Sequence, residues 1–128
     1  MTSSLVSYQY VVLRCVPRVD RDEFTNVGVV VHAQAVDFLD CAFAVDRDRL
    51  TSLAPGLDLL SLDTTLKTVC AICRGEQASG RPSLDTLGQR FGWLAAPRST
   101  VVQPGPVHGG LTHDPAVELD RLLARLVG

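Results

Sequence analysis

The first third of the chain carries apolar residues in the short runs that are typical of β-strands. Residues 7–17 and 24–34 are rich in β-branched and aromatic side chains. Residues 36–45 alternate larger apolar residues with more polar positions, and one face of this run carries Leu39, Cys41, Phe43 and Val45. Because the connections between the runs are short, the pattern predicts three antiparallel strands in a meander. Gly28 within the second strand indicates a bulge or a close approach by another backbone.

After residue 46 the spacing of the apolar residues becomes helical. Asp46 is a suitable N-cap for a short helix over residues 47–54. A second helix is predicted over residues 61–74, where an apolar stripe ends before Gly75, a common helix stop. A third, short helix is expected around residues 84–90.

The last helix has the clearest terminal signals. Asp114 is a good N-cap, Pro115 fits the first helical position, and one face carries Leu119, Leu122, Leu123 and Leu126. Residues 99–103 are a candidate fourth strand. The sequence therefore predicts a single α+β domain over residues 1–128, in which helices pack on one face of an antiparallel three- to four-stranded sheet. The second and third strands are apolar on both faces, so we expect their other face to meet the late loop or a partner.

Composition narrows the classes of function. Apolar residues make up 46% of the 128 residues and charged residues 20%, which favours a packed core over disorder. The formal net charge of -2 argues against a general electrostatic grip on nucleic acid or on acidic membranes. Because we find no signal-peptide pattern and no apolar run long enough to cross a bilayer, we expect a cytoplasmic protein.

The four cysteines raise the question of metal binding. Cys70 and Cys73 resemble half of a zinc knuckle, but the second half is missing, and structural zinc sites usually supply four ligands. The same two residues fit a buried helical stripe with Leu66 and Val69. In a reducing cytoplasm we therefore expect free core thiols, no metal site and no cofactor.

Side chains capable of chemistry are concentrated in residues 91–111, FGWLAAPRSTVVQPGPVHGGL. Arg98, Ser99 and Thr100 supply a forked donor and two hydroxyls, the groups that hold a phosphate or a carboxylate. His108 is the candidate catalytic residue, because an imidazole can carry a proton near neutral pH. The structural alternative is that Arg98 pairs with an acidic residue, the hydroxyls begin a strand and His108 caps a turn.

A second candidate group consists of Arg14, Glu23 and Asn26. Arg14 interrupts an apolar strand, and pairing of the first two strands across a charged turn at residues 18–23 would bring it near Asn26 or Gly28. A buried Arg needs an acceptor, and Glu23 is the nearest candidate in the sequence. A ligand site and a structural ion pair that fixes the hairpin both account for this pattern.

Three segments, in this order, carry a family resemblance: YQYVVLRCVPRVDRDEFTNVGVVV, FGWLAAPRST and PVHGGLTHDPAVELDRLL. Over nearly its whole length the chain resembles the bacterial family known as domain of unknown function 3037. The resemblance implies hallmark positions that this sequence matches, namely Arg14, Pro17, Glu23, Asn26, Gly28, Arg98, Ser99, Thr100 and His108. Family members often carry Ser and Thr where this chain has Gly105 and Gly109. They tend to be encoded beside kinases that resemble HipA-type persistence toxins, which implies a partner or regulator of such a kinase.

Two hypotheses about function follow. The first is a non-catalytic interaction or accessory protein, the partner or regulator of a HipA-like kinase, with a homo-oligomer as a further expectation. The second is a small enzyme or ligand-binding module for a phosphorylated or nucleotide compound, in which Arg98, Ser99 and Thr100 hold the anion and His108 moves a proton. The sequence contains no complete nucleotide-binding or nucleophile motif, so it leaves open whether the protein is an enzyme.

Overall fold

The computed structural model describes residues 4–17, 23–76, 83–98 and 100–127. Ser99 and most of the charged turn predicted at residues 18–23 lie outside the described residues. A short 3-10 turn, Gln34–Val36, joins the second and third strands. The main elements of the described chain follow in the order β1 (Val6–Cys15), β2 (Thr25–Ala33), β3 (Phe38–Phe43), α1 (Arg47–Leu53), α2 (Leu59–Cys73), α3 (Leu87–Ala95), β4 (Val102–Pro104), β5 (His108–Thr112) and α4 (Pro115–Leu126).

β1 is the central strand of an antiparallel sheet. β2 pairs with one edge of β1 and β3 pairs with β2, which confirms the predicted N-terminal meander. Both late strands pair with the other edge of β1. β4 lies opposite Leu13 to Cys15, and β5 lies opposite Val6 to Tyr10. The late, proline-flanked segment is therefore held directly against the first hairpin.

A bulge at Gly28 sets the register of that hairpin. Leu13 lies opposite Gly28, whereas Arg14 lies opposite Asn26, so β2 carries one extra residue at this point. A Cβ atom on Gly28 would lie 3.0 Å from the carbonyl oxygen of Ala42 on β3. The bulge and the close approach of another backbone are thus both present, and the bulge places Arg14 beside Asn26.

Each α-helix begins at a side chain that accepts hydrogen bonds from the first turn. Asp46 and Asp114 cap α1 and α4, as the sequence predicts. Asp58 caps α2, which therefore begins two residues before the predicted start. α3 begins later than predicted because Thr86 and Gln89 form a reciprocal capping box there.

Helices cover both faces of the sheet. α2 and α3 pack on the face that presents Val11 and Leu13. α4 packs on the opposite face of β2 and β3, where Leu122 belongs to the same buried cluster as Val29 and Val31. The predicted α+β class is confirmed; the described sheet has five strands, and α4 occupies the face that the sequence left to a loop or a partner. Because β2 and β3 are apolar on both faces, each face needs a covering layer.

β5 was not anticipated, since the sequence indicated one late strand over residues 99–103. Gly109 and Gly110 have low β-propensity, which hides this strand from pattern analysis. The aromatic ring of Tyr8 explains one of these glycines: a Cβ atom on Gly110 would lie 2.9 Å from ring carbons of Tyr8. The ring packs on the bare backbone of β5 and takes the place of a side chain.

Candidate functional site

The first hairpin and the late segment bring two groups of candidate residues onto β1. Arg14 lies opposite Asn26 on one side and Gln103 on the other, and His108 lies opposite Tyr10. Tyr10 and Arg14 share a face of β1 but are four residues apart, about 13 Å along the strand. A single small anion therefore cannot contact both groups.

The side chain of Arg14 packs between the hairpin and the loop after β4. Its guanidinium carbon lies 4.3 Å from the centre of the Phe24 ring, which is a cation–π contact. A Cβ atom on Gly105 would lie 3.1 Å from the same carbon. The backbone N–H of Gly105 donates to the carbonyl of Val12 over 2.8 Å, so the loop is fixed at this position. Glycine at position 105 thus makes room for the guanidinium.

Arg14 retains hydrogen-bonding capacity. Its Nε atom is buried and has no hydrogen-bond partner among the described residues. Glu23, which the sequence suggested as the acceptor, makes an interaction of its own, and within the described chain it does not satisfy this atom. An unsatisfied buried donor costs about 1–3 kcal/mol, so an added acceptor at this position would be favourable.

Asn26 has a structural contact that the sequence did not suggest. Its side-chain amide donates to the backbone carbonyl of Leu126 over 3.0 Å. The last carbonyls of a helix lack partners within the helix, so this bond satisfies one of them and ties β2 to the end of α4.

Arg98 lies just after α3, where its donors are used locally. Nε donates to the carbonyl of Ala96 over 3.3 Å, Nη2 donates to the carbonyl of Trp93, and the guanidinium carbon lies 4.4 Å from the centre of the Trp93 ring system. Burial lowers the pKa of Arg98. The hydroxyl of Thr100 donates to the carbonyl of Val102 over 2.7 Å, and the serine between them lies outside the described residues. Nε and Nη2 of Arg98 and the hydroxyl of Thr100 therefore serve local structure.

His108 is exposed and packs against Tyr10, with 5.2 Å between the ring centres. His108 pairs with Tyr10 and Val102 pairs with Cys15. These two positions on β1 are five residues apart, which corresponds to about 17 Å along the strand. Thr100 and Arg98 precede Val102 in the chain. The structure does not bring His108 together with Arg98 or Thr100, the two described residues of the proposed anion-holding segment.

A groove that the sequence analysis missed lies where β5 meets the start of α4. It has a volume of about 340 Å³, and we call it the β5 groove; five of its lining residues are Leu5, Leu111, Val117, Glu118 and Arg121. The three apolar side chains are 53%, 62% and 62% exposed, respectively. A sequence signal existed: Val117 shares a helix face with Asp120 and Arg121, three and four residues further along the chain, so an apolar side chain interrupts a polar face.

An ion pair between a buried carboxylate, Glu118, and an exposed arginine, Arg121, also lines this groove. Glu118 is buried and its carboxylate accepts a hydrogen bond from Nε of Arg121 over 3.1 Å. Burial alone would raise the pKa of Glu118, but hydrogen bonds, first of all with Arg121, outweigh this effect and hold the pKa below its ordinary value. The outer edge of β5 beside the groove is not paired with any other described strand.

A second cavity, larger than the β5 groove, lies on another part of the molecule. It measures about 510 Å³ and lies between the turn after α1, helix α2 and the edge of β4. Leu62 and Val102 form part of its apolar lining, and its one charged lining residue, Asp58, already caps α2. Of the candidate residues, Arg14, Arg98 and His108 are not among those that line this cavity.

Within residues 4–17, 23–76, 83–98 and 100–127, no three His, Cys, Asp or Glu side chains are grouped as a metal site. No described helix combines the length and the apolar character that a membrane crossing requires.

Comparison with known proteins gives one result. No curated protein and no solved structure matches the chain. The model of one protein family matches residues 10–127, which is nearly the whole chain and includes the Arg14 and His108 groups. The chain therefore belongs to the family described as protein of unknown function, DUF3037.

Proposed function

We propose that this chain is a non-catalytic interaction protein that binds a protein partner through the β5 groove and the outer edge of β5. The observation that carries the proposal is the grouping of Leu5, Leu111 and Val117, each more than half exposed, around one groove. Adjoining exposed apolar side chains beside an open strand edge are typical of interaction sites.

The geometry favours strand addition as the mode of binding. An extended segment of the partner pairs with the outer edge of β5 and inserts an apolar side chain into the groove. Arg121 lies at the rim with its side chain 64% exposed, and arginine is enriched at protein interfaces. Burial of one large apolar side chain is worth about 1.5–3 kcal/mol, so a half-exposed leucine contributes about 1–1.5 kcal/mol.

The partner that we propose is a HipA-like kinase, for which this chain acts as an accessory or regulatory subunit. Support comes from the family resemblance, which implies that members of the family tend to be encoded beside such kinases. The separation of Arg98 and Thr100 from His108 also favours binding over catalysis. A second copy of this chain is the competing occupant of the β5 edge, and the same experiment distinguishes the two.

The test is co-expression with the kinase encoded nearby, followed by measurement of the dissociation constant. Leu111→Glu is expected to weaken the complex at least tenfold, because about 1.4 kcal/mol corresponds to one factor of ten and a buried charge adds a further cost. Leu60→Glu is the matched control: Leu60 is 77% exposed on α2, outside the β5 groove. It should leave the dissociation constant unchanged.

Light scattering on the purified chain and on the co-expressed sample completes the test. A strictly monomeric chain that forms no complex contradicts the proposal, as does a complex that tolerates Leu111→Glu as well as Leu60→Glu. A homodimer that Leu111→Glu dissociates, without any kinase complex, identifies the second copy as the occupant.

One observation favours a second candidate function, the binding of a small anionic ligand. Of the two candidate arginines, Arg14 and not Arg98 has a buried Nε that lacks an acceptor among the described residues, and Phe24 and Gly105 hold its side chain in position. Thermal-shift measurements with inorganic phosphate and with ATP test this function. Stabilisation that is lost in Arg14→Gln and kept in Arg98→Gln supports it; equal stabilisation of both variants rejects Arg14 as the site.

A further inference from the structure

Two buried cysteines face each other between the sheet and α2. Cys41 lies on β3 and Cys70 on α2, 29 positions apart in the sequence, and their Sγ atoms are 2.8 Å apart. Cys41 is 8% exposed and Cys70 is 7% exposed, within the core cluster on the α2 side of the sheet. Among the hydrogen bonds described between β3 and α2, the contact between these two sulfur atoms is the shortest.

The separation suits a covalent bond. A disulfide has an S–S length of about 2.05 Å, so the two sulfurs need to approach by less than 1 Å. The Sγ atom of Cys70 also lies 3.7 Å from the carbonyl oxygen of Cys41, which keeps its side chain directed at the strand. The remaining adjustment is within the reach of small side-chain rotations.

The three cysteines of this region differ in acidity. The hydrogen bond with Cys41 lowers the pKa of Cys70, and the positive charge of Arg74, four residues further along the chain, contributes in the same direction. The same hydrogen bond, together with burial, raises the pKa of Cys41. Burial raises the pKa of Cys73 to about 12. Cys70 is therefore the thiol that ionises first, and the thiolate is the nucleophile in thiol oxidation.

We propose that Cys41 and Cys70 form a reversible redox-modification site that is oxidised to a disulfide by hydrogen peroxide. The Cys70 thiolate attacks one peroxide oxygen; an S–O bond forms, the O–O bond breaks, and the departing hydroxide takes a proton to become water. The Cys41 sulfur then attacks the sulfenic acid; an S–S bond forms, the S–O bond breaks, and hydroxide leaves with the Cys41 proton as a second water. The two thiols lose two electrons and one peroxide gains them.

The disulfide would fasten α2 to β3. α2 also supplies Ser61, Leu62 and Thr65 to the wall of the cavity of about 510 Å³, so oxidation fixes one wall of that cavity. Closing a loop of this length restricts the unfolded chain, and the oxidised protein should unfold at a temperature about 5–10 °C higher than the reduced protein. This inference does not depend on the proposed interaction function.

The experiment uses the full chain, treated with hydrogen peroxide, quenched by alkylation and digested without reduction for mass spectrometry. The expected product is a peptide pair linked through Cys41 and Cys70, with free thiols falling from four to two per chain. Dithiothreitol should restore all four thiols and the original unfolding temperature.

Cys73→Ala is the matched control, because it removes a buried cysteine one turn along the same helix. It should keep the Cys41–Cys70 link, whereas Cys70→Ala should abolish it. Four free thiols after peroxide treatment of the folded wild-type chain overturn the proposal. A link between any other pair of cysteines, or stepwise oxidation to sulfinic acid without a link, overturns it equally.

Discussion

Substitution of Gly28 by alanine tests the register that places Arg14 beside Asn26. The added Cβ would lie 3.0 Å from the carbonyl oxygen of Ala42 and 3.2 Å from the Cβ of Phe43. Both neighbours belong to β3, and neither atom can move away by rotation of a side chain. β2 and β3 must therefore separate by a few tenths of an ångström in a closely packed part of the sheet.

The expected loss of stability is about 1–2 kcal/mol. Overpacking of this kind costs about 1–3 kcal/mol, and the loss of glycine's freedom in the unfolded chain offsets about 0.5–1 kcal/mol of that cost. For a domain of this size, the unfolding temperature should fall by roughly 3–8 °C. Urea unfolding of the wild-type and variant proteins, followed by circular dichroism, measures the difference directly.

Gly88→Ala is the matched control for this measurement. A Cβ atom on Gly88 in α3 would meet nothing within 4 Å, so the same chemical change should stabilise the protein by about 0.5–1 kcal/mol. If Gly28→Ala is as stable as the wild-type protein, or is stabilised as much as Gly88→Ala, the bulge and the strand register described here are wrong.

Three further predictions concern stability. Asn26→Ala should lower the free energy of unfolding by about 1 kcal/mol, because it leaves the carbonyl of Leu126 without its donor. Asn26→Asp should lower it more at neutral pH, since a carboxylate then faces the negative end of α4; urea unfolding ranks the two variants. Asp114→Ala should cost about 1 kcal/mol through loss of the N-cap of α4, and an unchanged midpoint would contradict this. Burial lowers the pKa of His32 below its ordinary value of about 6.5, so near and below that pH the unfolded chain binds more protons than the folded chain. The free energy of unfolding should therefore fall as the pH drops below about 6.5. His32→Phe should flatten this dependence between about pH 7.5 and pH 5.

Local signals in the sequence were sufficient for the meander and for α4. Both elements depend on residues that are close together in the sequence. For β3 the signal is the alternation that includes Leu39 and Cys41, and for α4 it is Asp114 followed by Pro115; such short-range patterns can be read from the sequence. α3 was misplaced because its start depends on which of several polar residues caps the helix. β5 was missed because it depends on a distant ring, that of Tyr8, which covers Gly110.

The candidate site illustrates the same limit. The sequence indicated that Arg98 and Arg14 could bind an anion, but it could not indicate which of them has free donors. Nε and Nη2 of Arg98 donate to backbone carbonyls at the end of α3. The direction of those carbonyls depends on how the helix ends, which the sequence does not indicate. Arg14 keeps an unsatisfied Nε because its neighbours, Phe24 and Gly105, offer a ring face and a bare backbone rather than an acceptor.

The most direct test of the proposed interaction is hydrogen–deuterium exchange on the free chain and on its complex with the co-expressed kinase. We expect the peptide covering residues 107–113 to gain the strongest protection, because strand addition engages the backbone N–H groups on the outer edge of β5. Peptides from the exposed start of α2, around Leu60, should exchange at the same rate in both samples. Protection of α2 in the complex, with β5 unchanged, would contradict the account.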